Sequence, residues 1–266
     1  MANHKPIGIF DSGIGGLTVA SAISKLLPNE QLIYFGDTAH VPYGDKSATL
    51  IQSYALNITR FLLQQQCKAL VIACNTASAA AYETLRDAHK GKVPVINVID
   101  PMIEAVIADD EIKKVGIIAT KATIASGVYQ EKLTRRKPAL KYEALATPLL
   151  ASMIEEGFYN NNVSTAVLQQ YLSHAGFADI DAMILACTHY PLIKPEIDLF
   201  FKHRIKIFDS AMVVAHKLQT ILAKENLFAS KRLASDIFYV SDFTKSFEES
   251  TKTFFGNATH LKQITI

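Results

Sequence analysis

The segment KALVIACNTAS, residues 68–78, is a short apolar run that ends in Ala-Cys and passes at once into Asn-Thr. Residues 181–191, DAMILACTHYP, have the same shape, with Ala-Cys-Thr at the end of an apolar run. A run of this length, apolar without alternation, reads as a strand buried on both faces. A second pair strengthens the echo: KPIGIFDSG, residues 5–13, parallels KVGIIATKA, residues 114–122. Two matched pairs in the same order indicate a duplicated unit.

Between these strands the chain alternates. QLIYFGD (31–37) and VPVINVID (93–100) are further apolar runs, and KSATLIQSYALNITRFLLQ (46–64) and TASAAAYETLRDAH (76–89) carry helical spacing. In the first of these helices Leu50, Ile51, Tyr54, Ile58, Phe61 and Leu62 fall on one face, with Ser47 placed to cap the start. Asp100 and Pro101 read as an N-cap and a first-turn proline. Beyond them the alternation restarts, and KYEALATP (141–148) adds another strand. RIKIFDSAMVVAHKL (204–218) gives strand, Asp-Ser and helix, and DIFYVSDF (236–243) a last strand that can return to the first unit. The expected fold is therefore α/β, with two similar lobes, each a mostly parallel sheet flanked by helices, pseudo-symmetric about a central cleft. Residues 1–99 with 207–266 are expected to form the lobe carrying Cys74, and residues 100–206 the lobe carrying Cys187.

Bulk properties exclude several classes. At 266 residues and 49% hydrophobic, the chain can bury a large core. Its 27 basic and 25 acidic residues are interspersed and leave a net charge of +2, so no nucleic-acid partner is expected. The N-terminal MANHKPIGIF lacks the basic and apolar regions of a leader, and no apolar run reaches the roughly 18 residues of a membrane span. A soluble, cytoplasmic protein without a membrane partner is the expectation. Three cysteines, Cys67, Cys74 and Cys187, contain no CxxC and are too few for a disulfide framework. Cys67, near a helix end, reads as a small buried hydrophobe.

In open parallel sheets, ligands sit beyond the carboxyl ends of the strands. Asp11 and Ser12, Asp37 and Thr38, Cys74 to Thr76, Thr120, and Cys187 to His189 all fall there. The glycine-rich DSGIGG (11–16) invites a phosphate reading, yet a GxGxxG from Gly13 would need glycine where Thr18 stands, and the Walker ending is missing. Its glycines are better suited to a sharp turn that approaches a small ligand, with N–H groups at a helix N-terminus ready for a carboxylate. Asp11 would then face the ligand's amine or the neighbouring thiol.

Two lobes facing each other would set Cys74 and Cys187 across one cleft. A disulfide exchanger usually carries CxxC, a Cys-His hydrolase would leave Cys74 idle, and no zinc-ligand spacing is present. Two opposed thiols fit removal of a proton from one face of a planar carbanion and return of a proton to the other. A free thiol is mostly protonated at neutral pH, so Asp11 and His189 are candidates to adjust the pair. Ser12, Asn75, Thr76 and Thr188 are placed to fix the carboxylate and amine of an amino acid. Nothing calls for a cofactor, PLP included, or for a metal.

DSGIGGLTV, GDTAHVPYG, ACNTASA and ACTHYPL, in this order and at these separations, resemble the glutamate racemase family over nearly the whole chain. The resemblance implies cofactor-independent interconversion of L- and D-glutamate, supplying D-glutamate for peptidoglycan, by a homodimer. It implies Cys74 and Cys187 as the acid/base pair, Asp11 assisting Cys74, and Glu155 and His189 assisting Cys187. It also implies substrate contacts from Asp11 with Ser12, Tyr43 with Gly44, Asn75 with Thr76, and Thr188 with His189. Around Glu155 the sequence ATPLLASMIEEG departs from the family's usual Cys-Pro and Val-Pro-Leu-Val-Glu. Rival readings are a relative acting on aspartate and a binding module that captures a small acid without turning it over.

Overall fold

The computed structural model of the chain describes residues 3–256 and 260–266. From the N-terminus, β1 (Ile7–Asp11), α1 (Leu17–Leu26), β2 (Leu32–Gly36), α2 (Ala48–Gln64), β3 (Ala69–Ile72), α3 (Asn75–Ala88) and β4 (Val95–Asn97) lead into α4 (Ile99–Ile107). The second series is β5 (Lys114–Ala119), α5 (Lys121–Ala125), α6 (Val128–Arg136), β6 (Lys141–Ala146), α7 (Pro148–Glu155), α8 (Asn162–Leu172), β7 (Ala182–Ala186), α9 (Lys194–Phe200) and β8 (Lys206–Phe208). It is followed by α10 (Ser210–Lys224), β9 (Ile237–Val240), α11 (Lys245–Phe255) and β10 (His260–Gln263).

The strands form two parallel sheets, ordered β10-β9-β2-β1-β3-β4 and β6-β5-β7-β8. The order β2-β1-β3-β4 is repeated by β6-β5-β7-β8, which is the duplication seen in the sequence. Gly8 of β1 and Gly116 of β5 occupy the same register in their sheets, and Cys74 and Cys187 follow the equivalent strands β3 and β7. β9 pairs with β2, so the strand in DIFYVSDF does return to the first sheet, but it is not the last: β10 follows and pairs with β9.

Strand parity sorts the core into layers. Ile7 and Ile9 of β1 point to a cluster shared by both sheets, with Leu17 and Ile23 of α1, Met102 and Val106 of α4 and Leu218 of α10 between them. Phe10 points the other way, onto Ile51, Ile58 and Leu62 of α2. The outer face of the second sheet packs Met183 and Leu185 against α7, α8 and α9. One continuous apolar core thus joins the two lobes and leaves their strand ends facing each other.

Ser47 caps α2, its hydroxyl accepting from Leu50 N at 3.3 Å. Three expectations need correction. Leu50 is 41% exposed and does not share the buried face of Ile51 and Ile58. Asp100 is not an N-cap: Asn97 Oδ1 accepts from both Ile99 N and Asp100 N at 2.8 Å, leaving Asp100 to pair with Lys132 at 2.7 Å. Asn97 supplies the side-chain acceptor three residues earlier, and Pro101 still falls in the first turn, where a missing N–H costs nothing. Finally, β8 pairs with β7, so a division at 206/207 falls inside a strand of the second sheet. Among the described residues, no helix is long and apolar enough to cross a membrane.

Candidate active site

In each sheet the strand order reverses direction beside the central strand, at β1/β3 and at β5/β7. Such switch points open a crevice beyond the carboxyl ends. Here the two crevices meet, and a narrow cavity of about 30 Å³ lies between them. From the first lobe it is lined by Ser12, Tyr43, Gly44, Cys74, Asn75 and Thr76. Glu155, Cys187, Thr188 and His189 line it from the second. All the expected site residues therefore converge except Asp11, which is fully buried just beneath. The sequence reading did not include Val41, Pro42 and Ala151, which also line the cavity, or assign a contact to Thr120, which does. Thr120 follows β5 as Ser12 follows β1, and that repeat correspondence was the available signal.

Cys74 occupies the N-cap of the 14-residue α3, and its sulfur accepts from Ala77 N at 3.4 Å. The thiol also reaches Ser12 Oγ at 3.8 Å. Burial pushes the thiol well above its ordinary value, and the Asp11 carboxylate adds to that, outweighing the Ala77 and Ser12 hydrogen bonds. Cys74 is thus held as a thiol. Asp11 is itself raised by burial, against the opposing charge of His189 and the two N–H groups it accepts from.

Those N–H groups answer what DSGIGG is for. Gly13 N and Gly16 N donate to Asp11 Oδ2 at 3.1 and 2.9 Å. Two of the turn's amides are therefore spent on its own carboxylate. The glycines serve close approach as well. A Cβ on Gly15 would stand 2.5 Å from Thr188 Oγ1 and 2.7 Å from His189 Nδ1, and one on Gly13 would stand 2.9 Å from Glu155 Oε1. Only glycine lets the first-lobe turn press against the second-lobe residues. Thr188 completes the junction by donating to Asp11 Oδ1 at 3.4 Å.

Cys187 has different company. Its sulfur lies 3.6 Å from His189 Nδ1, and His189 Nε2 lies 2.8 Å from Glu155 Oε1. Burial alone would lower the imidazole, but its hydrogen bonds to Cys187 and Glu155, with their charges, raise it well above the ordinary value. An imidazolium held there sets a positive charge against the adjacent sulfur. The repeat has placed two equivalent thiols in unlike fields, one beside a carboxylate and one beside a cation.

The loop that carries Tyr43 is pinned from below. Tyr43 OH donates to Asp37 Oδ2 at 2.5 Å, while His40 Nδ1 and Ser241 Oγ each reach Asp37 Oδ1 at 2.8 Å. As the first residues of a tight helical turn, Tyr43 and Gly44 have N–H groups with no partner inside that turn. Cys67 is remote from this site, packed under Gly8, and burial pushes its thiol up to about 12. Among the described residues, no group of three or more His, Cys, Asp or Glu is gathered as metal ligands would be.

A family model described as Asp/Glu/Hydantoin racemase matches residues 16–218. A glutamate racemase of Neisseria meningitidis serogroup C is 40% identical over 257 residues, covering 96% of this chain and 94% of that one. The crystal structure of glutamate racemase from Francisella tularensis in complex with D-glutamate is similar with a TM-score of 0.91 at 38% identity, over 98% of each chain. A glutamate racemase structure from Bacillus anthracis gives a TM-score of 0.91 at 35% identity, over 99% of this chain and 98% of that one.

Proposed function

From its membership of the Asp/Glu/hydantoin racemase family, to which the chain belongs, we propose that this amino-acid racemase interconverts L- and D-glutamate by passing protons between two thiols. The observation that carries the reading is the pairing of Cys74 and Cys187 on one cavity, each with its own proton partner. The substrate assignment is supported by near relatives that are glutamate racemases, one of them solved with D-glutamate.

In one direction Cys187, acting as thiolate next to His189, removes the α-proton. Cys74, held as a thiol, delivers its own proton to the opposite face. The reaction leaves Cys74 as thiolate and Cys187 as thiol, so the reverse direction uses the same groups in exchanged states. Asp11, raised by burial beside Cys74, is the acceptor able to take the Cys74 proton as that sulfur becomes the base. The α-proton of an amino acid is a very weak acid. N–H and O–H donors that line the cavity, from Ser12, Tyr43, Gly44, Asn75, Thr76, Thr188 and His189, hold the carboxylates and stabilise the developing negative charge. The product D-glutamate would serve peptidoglycan synthesis.

The test is proton NMR of L-glutamate in D₂O with purified protein and no added cofactor, paired with circular dichroism. Loss of the α-proton signal with decay of ellipticity to zero is expected, and at early times deuterium should appear in the D-product before it appears in remaining L-glutamate. Turnover of aspartate with none of glutamate would replace the substrate assignment. Binding without exchange of the α-proton would return the protein to a binding module.

A further inference from the structure

Asn75 opens α3 directly after Cys74, is 2% exposed and lines the cavity. Its amide is satisfied on one side only. Tyr129 OH donates to Asn75 Oδ1 at 2.7 Å, whereas Asn75 Nδ2 is buried without a protein partner. A buried donor left unpaired is costly and calls for an explanation. In a residue that lines a cavity, the explanation at hand is an acceptor on the bound ligand.

A side-chain amide can turn over and exchange its oxygen and nitrogen at little steric cost, and the hydrogen-bond network decides which way it points. Tyr129 supplies that decision here. It is 1% exposed on α6, within the core shared by both lobes, so its hydroxyl has a fixed place. Burial, followed by the nearby Cys187 charge, pushes the phenol upward and keeps the proton on oxygen. With the amide turned the other way, the phenol oxygen would have to accept from the NH₂ and the phenol proton would lose the Oδ1 acceptor it now has. The geometry points to Tyr129 as a positioning residue that reaches across from the second lobe and turns the Asn75 NH₂ toward an anionic oxygen of the bound amino acid. This rests on the reading of the cavity as an amino-acid site. Neither Tyr129 nor α6 touches the cavity, so the role is exercised entirely through Asn75.

The experiment compares wild type, Tyr129→Phe, Asn75→Ala and the double variant by steady-state kinetics in both directions and by calorimetry with glutamate. Tyr129→Phe is expected to raise KM and Kd for glutamate by about 10- to 150-fold, the range of one hydrogen bond to a charged group, with kcat changed less than about threefold. On top of Asn75→Ala it should add nothing. Equal Kd for wild type and a folded Tyr129→Phe variant overturns the positioning role, as does an undiminished Tyr129→Phe effect in the Asn75→Ala background. If Tyr129→Phe does not fold, ¹⁵N–¹H NMR of the wild-type Asn75 side chain decides. Two distinct amide protons that shift on adding glutamate are expected, and unshifted ones overturn the role. Absence of glutamate turnover and binding by the wild type would instead overturn the amino-acid reading.

Discussion

Cys74 and Cys187 are equivalent in the repeat and unlike in their surroundings, and replacing each tests the pair separately. Serine keeps the size and the hydrogen bonds but ionises far less readily, so Cys74→Ser and Cys187→Ser should each reduce kcat by about 10³-fold or more. Thermal melting should place both variants close to wild type, since each swap conserves volume. Near-normal racemisation by either one would sink the two-base assignment. His189 offers a pH handle. Its folded value lies above its ordinary one, so the stability this cluster contributes is fully present below the unfolded value of about 6.5 and is lost as pH rises through the folded value. Glu155→Gln removes one of the partners holding the proton, and the alkaline limb of kcat/KM and the alkaline fall in melting temperature should both move to lower pH. An unmoved profile would mean that Glu155 does not hold the His189 proton. The sequence displayed Cys74, Cys187 and His189 plainly, because the repeat singles them out. It hid Asp11's partners, since two amides folding back on a carboxylate leave no trace in residue identity.

The turn from β1 into α1 is the element in which local chemistry and the lobe junction coincide. Gly15→Ala should test that junction: its Cβ would fall on Thr188 and His189, so that turn or those residues must shift. A loss of about 10²-fold in kcat/KM, as expected for a displacement near 1 Å at a reacting site, should accompany a smaller change in melting temperature. Wild-type kinetics for Gly15→Ala would show that the close approach is dispensable. The βα alternation itself was legible because apolar strands and amphipathic helices have different periods, as in β3 and α2. The end of the chain was not. In α11, KSFEESTKTFF carries few apolar residues, and its anchor Phe247 is buried against Gly36, a residue more than two hundred positions away. Leu50 was misplaced for a related reason: helical phase marks a face, but which edge of it the core covers is set by neighbours.

The cavity belongs to neither lobe alone, and both of its thiols are only 5% exposed. Entry of substrate through a separation of the lobes would give a particular pattern of thiol labelling. Cys74 and Cys187 should react with an aromatic disulfide reagent far more slowly than a free cysteine, glutamate should slow them further, and Cys67 should react last. Labelling of both at the free rate, unaffected by glutamate, would count against a closed resting form. The two-lobed plan was readable because each lobe spells out the same order of strands. The junction was not, because Gly15 against Thr188 and Tyr129 against Asn75 join residues that share no local pattern.

The return of β9 to β2 has a consequence for how the chain is made. β2 is apolar and buried along its whole length, and the strand that covers its outer side, β9, is encoded about 200 residues later. At roughly 5–20 residues per second, a ribosome needs some 10–40 s to deliver that strand. During this interval the N-terminal lobe presents a bare, hydrophobic sheet edge, the kind of surface on which nascent chains pair wrongly with one another. The vulnerable period in the life of this protein lasts until residues 237–240 have emerged.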